Sequence, residues 1–282
     1  MKKMVVILGV LGTSLSAILV RYSTASSSVL VFYRMAFSVL ILCPVILAGD
    51  QKKRKQITGK LLFQCGMSGI FLGLHFLCYF QSLKYTSVAS SVVLVDTEIF
   101  FVALGSLVFF GEQLTAKGWF SIFLTFIGST IVAMGDAGES DFWGDILALA
   151  GAMCSAVYTL LGRRCRKKLS TSMYTWIVYF FAGVTVWMVT LCMGDSIVMM
   201  DGKNLLVALG LAVFCTLLGH SIFSWGLRYE KASFISMAKL LEPVFAAFLA
   251  MMMFHEIPSM SSVMGGFLII IGIVSYIRCT KE

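Results

Sequence analysis

The sequence predicts an all-α integral membrane protein of ten transmembrane helices, arranged as two inverted five-helix repeats with both termini cytoplasmic. Three observations carry that expectation. The composition is too apolar for a water-facing surface, lysine and arginine are distributed one-sidedly, and the second half of the chain repeats the first.

Of 282 residues, 59 % are hydrophobic and 13 % charged, and the mean hydropathy is +0.93. A soluble chain carries about 25 % charged and about 45–50 % apolar residues. This chain cannot clothe a globule in polar groups, which excludes a soluble enzyme, a nucleic-acid binder, a disordered scaffold and a secreted domain. The lipid core needs roughly 20 apolar residues per helical span. Only helices and closed barrels satisfy their backbone there. The apolar runs lack period-2 alternation, so helices remain.

The runs place spans at 4–22, 28–48, 60–82, 85–110, 117–134, 143–162, 172–193, 204–227, 232–254 and 260–277. Turn formers such as Gly49-Asp50 and Gly135-Asp136-Ala137-Gly138 punctuate the gaps. The run after Met1-Lys2-Lys3 is read as a retained first span, because no small-x-small cleavage site precedes the next run. The eight cysteines (Cys43, Cys65, Cys78, Cys154, Cys165, Cys192, Cys215, Cys279) show no zinc-ligand or redox spacing. They read as small membrane-core residues, and neither a metal nor a cofactor is expected.

Orientation follows from the positive-inside rule. With the N-terminus inside, cytoplasmic segments hold seventeen basic residues, clustered at Lys52–Lys55 and Arg163–Lys168, and outer segments hold only Arg21, Lys84 and Lys203. The net charge of +8 is a by-product of this asymmetry. The basic clusters hug membrane ends, so no nucleic-acid partner is expected.

Sliding the chain by 144 residues sets Leu83 and Tyr85 on Leu227 and Tyr229, Glu98 on Glu242, and Phe110-x-Glu112 on Phe254-x-Glu256. Eleven identities fall between 83–130 and 227–274. A shift of 139 sets Gly12-x-x-x-Ser16-Ala17 on Gly151-x-x-x-Ser155-Ala156. Residues 1–134 and 143–282 therefore read as two copies. Each copy has an odd number of spans, so the second is inverted. Inverted repeats are an architecture of secondary transporters, with the site near the midplane.

Tyr33-Arg34, Leu83-x-Tyr85-Thr86-Ser87, Phe110-Gly111-Glu112, Leu241-Glu242-Pro243-Val244-Phe245-Ala246-Ala247 and Glu256 resemble the EamA-type members of the drug/metabolite transporter superfamily. The resemblance covers essentially the whole chain. It implies a central cavity lined mainly by helices 1, 3, 4, 6, 8 and 9, with helices 5 and 10 peripheral. Two positions depart from the pattern. Ile99 replaces the proline common at the first-half equivalent of Pro243, which argues against a helix-4 kink, and His255 replaces a glycine.

Ionisable groups within lipid cost roughly 2.5–3.5 kcal/mol each on insertion scales and need a reason. Glu98 and Glu242 lie near mid-helix at repeat-related positions. Ser236, Lys239 and Glu242 run along one stripe, so Lys239 and Glu242 are expected to pair. His75 and His220 are near-equivalents, with Tyr79 one turn from His75. Thr216, His220 and Ser224 form another stripe with Trp225 beside it, and Ser16, Ser155 and Tyr158 complete a wall. The expected substrate contacts are His75, Tyr79, Glu98, Tyr158, His220, Trp225 and Lys239. Asp96, Glu98 and Glu242 are candidates for proton coupling, since burial favours the neutral form of a carboxylate. Arg34, Glu112, Pro243 and Glu256 read as structural or gating residues; Arg34 could also snorkel or brace a neighbour. Each histidine has a plainer reading as an interhelical hydrogen bonder.

The expected function is secondary transport, in the export direction, of small polar or amphiphilic metabolites such as amino acids. Lys239 would meet a carboxylate, and Glu98 or Asp96 an ammonium. No phosphate-binding loop of the G-x-x-x-x-G-K-[ST] type is present. A channel, a lipid-type carrier and an intramembrane enzyme are the alternatives. The partners are a small-molecule substrate and the bilayer of a bacterial plasma membrane, with the chain a monomer or homodimer. Glu98→Gln and Lys239→Met are each expected to abolish transport with folding largely intact.

Overall fold

Long apolar runs with few prolines leave the backbone no hydrogen-bond partner but itself, so each run closes into a helix. The computed structural model describes residues 2–49, 57–134, 141–192, 194, 201–254 and 259–279. Ten helices among them are long and apolar enough to cross a membrane. We number them as spans. Span 1 is Lys2–Arg21, span 2 Ser27–Ala48 and span 3 Gly59–Ser82. Span 4 is two helices, Val88–Asp96 and Glu98–Phe110. Spans 5, 6 and 7 are Ala116–Met134, Phe142–Arg166 and Thr171–Cys192. Span 8 runs Gly202–Gly210, Leu211–His220 and Ser221–Gly226. Span 9 is Ala232–Lys239 and Glu242–Phe254, and span 10 is Met260–Cys279.

Starts follow local chemistry. Thr58 and Ser87 accept from the backbone N–H of Leu61 and Ser90, three residues on, and Asp141 Oδ1 accepts from Trp143 N at 2.8 Å. These caps satisfy donors that the first turn leaves orphaned. The turn 83–87 is therefore not helical, and span 4 begins at Val88 rather than 85. Span 6 continues four residues past the expected 162. Arg166 anchors that extra turn, donating to the Ser224 carbonyl at 2.8 Å, to Thr171 Oγ1 at 2.6 Å and to the Leu169 carbonyl.

Span 4 breaks at Thr97 without a proline, against the expectation from Ile99. Thr97 Oγ1 donates to the Leu94 carbonyl at 2.5 Å, and Phe100 N donates to the Thr97 carbonyl at 3.0 Å. A side-chain bond and a tight i,i+3 turn have replaced the helical ladder locally. Span 9 breaks at the repeat-related position. Leu240 N and Leu241 N bond three residues back, and Pro243 has no N–H to donate to the Lys239 carbonyl four residues back. Span 8 carries a ten-residue π-helical stretch, Leu211–His220, which helical periodicity does not reveal.

The polar inventory faces inward and the apolar one outward, as lipid demands. Val108, Phe109, Phe120 and Met260 are highly exposed, whereas Arg34, His75, Glu98, Ser155 and Thr159 are buried. The most extensive pairings join the two halves: span 5 with 10, 3 with 6 and 7, 2 with 7 and 8, 1 with 8 and 9, and 4 with 6. Exchanging spans 1–5 with 6–10 maps this pattern onto itself. Glycines permit the closest crossings. A Cβ on Gly12 would stand 2.7 Å from the Phe214 carbonyl, and one on Gly265 would stand 2.5 Å from that of Gly128.

Candidate functional site

The break in span 4 makes Glu98 the first residue of a new helix, and five hydrogen bonds converge on its carboxylate. Oε1 accepts from Lys239 Nζ, Thr159 Oγ1 and Ser236 Oγ, each at 3.0 Å. Oε2 accepts from Ser155 Oγ at 2.6 Å and Lys239 Nζ at 3.1 Å. The donors come from spans 6 and 9, so a first-half carboxylate is held entirely by second-half groups. Glu98 is 6 % exposed. Lys239 Nζ also lies 5.9 Å from the Phe223 ring centroid.

This corrects the expected pairing of Lys239 with Glu242. The turn at Leu240–Leu241 separates those two residues, and Lys239 reaches across to Glu98 instead. Thr159 was missed. The signal was Ser155 and Thr159 one turn apart on span 6, a hydroxyl pair that suits a carboxylate.

Beside this ion pair lies a layer of rings. His75 Nδ1 donates to the Gly151 carbonyl at 3.0 Å, and a Cβ on Gly151 would come within 3.5 Å of the His75 carbonyl. Tyr79 stacks on His75 at 6.3 Å. His220 meets Phe76 at 5.4 Å and Tyr158 at 6.5 Å, and Tyr158 Oη shares a hydrogen bond with Ser224 Oγ at 3.2 Å. His220 Nδ1 has no hydrogen-bond partner among the described residues. The structure thus brings together His75, Tyr79, Tyr158, His220, Glu98 and Lys239. Trp225 does not join them. It packs on the exposed Tyr229 at 4.9 Å, where span 8 ends, because the π-helical stretch shifts the register of the residues after it.

Arg34 neither snorkels nor stays near the surface. It is 3 % exposed, its Nε donates to Thr216 Oγ1 at 2.7 Å, and its guanidinium lies 4.7 Å from the Phe76 ring centroid. The Glu242 backbone carbonyl accepts from Ser14 Oγ at 3.2 Å, and the Thr13 hydroxyl beside Ser14 donates to the Val10 carbonyl at 3.0 Å. Asp96 points elsewhere, accepting from Ser129 of span 5. Pro243 follows Glu242 in the first turn after the break. Glu112 pairs with Arg163 at 3.0 Å, and Arg163 Nη1 donates to the Leu227 carbonyl at 2.7 Å. Three span ends are joined there. Glu256 lies outside the described residues. Among the described residues no group of three His, Cys, Asp or Glu side chains could hold a metal ion.

A family model described as the EamA-like transporter family matches residues 3–134 and again 142–278. The chain belongs to that family, and thereby to the drug/metabolite transporters. Named relatives agree with a transport role. The "Pseudopaline exporter CntI" of Pseudomonas aeruginosa is 24 % identical over 263 residues, covering 92 % of this chain and 89 % of that one. An "Uncharacterized transporter YyaM" of Bacillus subtilis is 26 % identical over 269 residues, covering 91 % and 85 %. An "Uncharacterized transporter" of Archaeoglobus fulgidus is 27 % identical over 212 residues, covering 72 % and 71 %. A solved crystal structure superposes with a TM-score of 0.82 at 17 % identity, over 100 % of this chain and 99 % of that one, a likeness of fold. The family and the relatives' names point to a multi-pass membrane transporter with a small-molecule substrate, not to an enzyme.

Proposed function

We propose that this chain is a secondary transporter that exports small polar or amphiphilic metabolites, amino acids among them, across a bacterial plasma membrane. The repeats are 1–134 and 143–282, both termini are cytoplasmic, and the two halves rock about a midplane site. The observation that carries this reading is the Glu98 carboxylate, a first-half group held by five second-half hydrogen bonds in the middle of the spans. Any motion of one half against the other must remake that cluster, so the site and the moving interface coincide. The relative named as an exporter supports the direction.

Protonation of Glu98 would remove its attraction to Lys239 and turn an acceptor into a donor. That gives a route for coupling to a proton gradient, with Glu242 and Asp96 as the other carriers. His75, Tyr79, Tyr158 and His220 supply apolar faces and a few polar edges, a mixture typical of small-molecule sites.

The test is counterflow in proteoliposomes of the full chain, preloaded with mixed L-amino acids and given labelled L-amino acids outside. A carrier gives saturable uptake that internal load accelerates. Flux that neither saturates nor responds to internal load would replace the carrier with a pore. Uptake indifferent to an imposed pH gradient would remove proton coupling.

A further inference from the structure

Spans 5 and 10 cross tightly at Gly272, where a Cβ would stand 3.0 Å from the Ser121 carbonyl. Ser121 Oγ donates to Ser275 Oγ at 3.0 Å beside that crossing. A groove of about 520 Å³ runs along the same pair of helices, with Lys117, Ile270, Ile271, Val274 and Arg278 in its walls. Lys117 lies in the first turn of span 5 and Arg278 in the last turn of span 10. Both therefore sit where hydrocarbon gives way to headgroups, and both are exposed. Among the described residues no carboxylate oxygen lies within 4.0 Å of either cation.

Below the cations the wall is apolar. Ile271, Val274 and Arg278 follow at intervals of three and four residues, so they form one stripe on span 10. Ile271 and Val274 are exposed. Seven residues of helix rise about 10 Å, so the stripe leads from an interfacial cation to aliphatic side chains well inside the hydrocarbon. The repeat shows that packing does not require the charges. A shift of 144 residues sets Ile271 on Ile127, but it sets Lys117 on Ser261 and Arg278 on Met134. The opposite end of the same helix pair thus has the equivalent positions without a cation.

A guanidinium forks onto two phosphate oxygens, and an ammonium adds a point charge. Basic pockets between transmembrane helices take anionic lipid headgroups. A phosphodiester whose headgroup carries no amine matches two unpaired cations, whereas a choline headgroup would bring a third cation beside them. A small soluble anion would use the cations and leave the apolar stripe uncovered. We propose that the groove between spans 5 and 10 holds one anionic phospholipid, its phosphate between Lys117 and Arg278 and an acyl chain along Val274 and Ile271. The site lies apart from the Glu98 cluster and needs only a chain resident in a bilayer, so it stands whatever the cargo.

The experiment is native mass spectrometry of the purified, delipidated full chain with equal amounts of dioleoylphosphatidylglycerol and dioleoylphosphatidylcholine. One phosphatidylglycerol adduct survives release from the micelle and exceeds the phosphatidylcholine adduct. A basic residue at the membrane surface is worth about a factor of five in anionic-lipid binding. Lys117→Gln and Arg278→Gln therefore each lower the adduct about fivefold, and the double variant about twenty-five-fold. Arg164→Gln removes the same charge from another basic span end, outside the groove, and leaves the adduct unchanged. Ile271→Trp keeps both cations, fills the groove and abolishes the preference. The site is overturned if both lipids are retained equally, if Arg164→Gln acts like Arg278→Gln, or if Ile271→Trp changes nothing. Displacement of the adduct by inorganic phosphate would make this a free-anion site. A lipid-free dimer in place of the adduct would make the groove a seat for a second copy. Either result ends the proposal.

Discussion

Removing either member of the Glu98–Lys239 pair leaves a charge stranded among helices. Lys239 Nζ lies 3.0 and 3.1 Å from the two carboxylate oxygens. At that distance the attraction is on the order of 5 kcal/mol with an effective dielectric constant of about 20. The side chains are 13 % and 7 % exposed, so solvent screens the pair little. In Lys239→Met, Glu98 keeps the hydroxyls of Ser155, Thr159 and Ser236 but loses its cation. In Glu98→Gln, the new amide presents donors to groups that already donate. Breaking a buried pair from one side costs about 3–5 kcal/mol, so each single variant is expected to lose that much. The sequence alone led us to expect intact folding for both, and the structure revises that. The double variant removes both charges and should lose only about 1–3 kcal/mol, less than either single change. The assay is equilibrium unfolding of the four proteins in one micelle, read as a double-mutant cycle. Single variants within about 1 kcal/mol of the parent, or losses that simply add, would refute the buried pair. Transport should be abolished in both single variants.

Three further outcomes are expected. Gly265→Ala places a methyl 2.5 Å from the Gly128 carbonyl and should cost about 1–3 kcal/mol by overpacking, seen as a lower unfolding midpoint. Arg163→Ala releases Glu112 and the Leu227 carbonyl together, so a cysteine placed at 113 should label faster with a membrane-impermeant reagent while the midpoint falls only slightly. Single cysteines at 53 and 167, in a cysteine-free background, should label from the same side of the membrane. Opposite sides would overturn the inverted topology.

Several features were legible in the chain before any fold. Ten apolar runs, the basic asymmetry and the in-register Glu98 and Glu242 all follow from local composition, which lipid constrains severely. That Glu98 and Lys239 need polar partners was likewise legible, because a charge inside a membrane is costly alone. Their partnership was not, since helical spacing favoured Lys239 with Glu242. Spacing describes one helix, whereas the turn at Leu240–Leu241 and the crossing of spans 4, 6 and 9 bring Lys239 onto a residue 141 positions away. The same limit hid the break at Thr97, where a hydroxyl does what proline does elsewhere, and misplaced Trp225 through the π-helical stretch.

Sequence by itself determined that this chain lives in lipid, crosses it ten times and duplicates itself, because those properties sum over residues without regard to who touches whom. Only the tertiary structure decided which buried charges are matched, joining Lys239 to Glu98 of the other half rather than to Glu242 along its own helix. Electrostatic pairing depends on separations of a few ångströms between helices distant in the chain, and no periodicity along one helix encodes those separations.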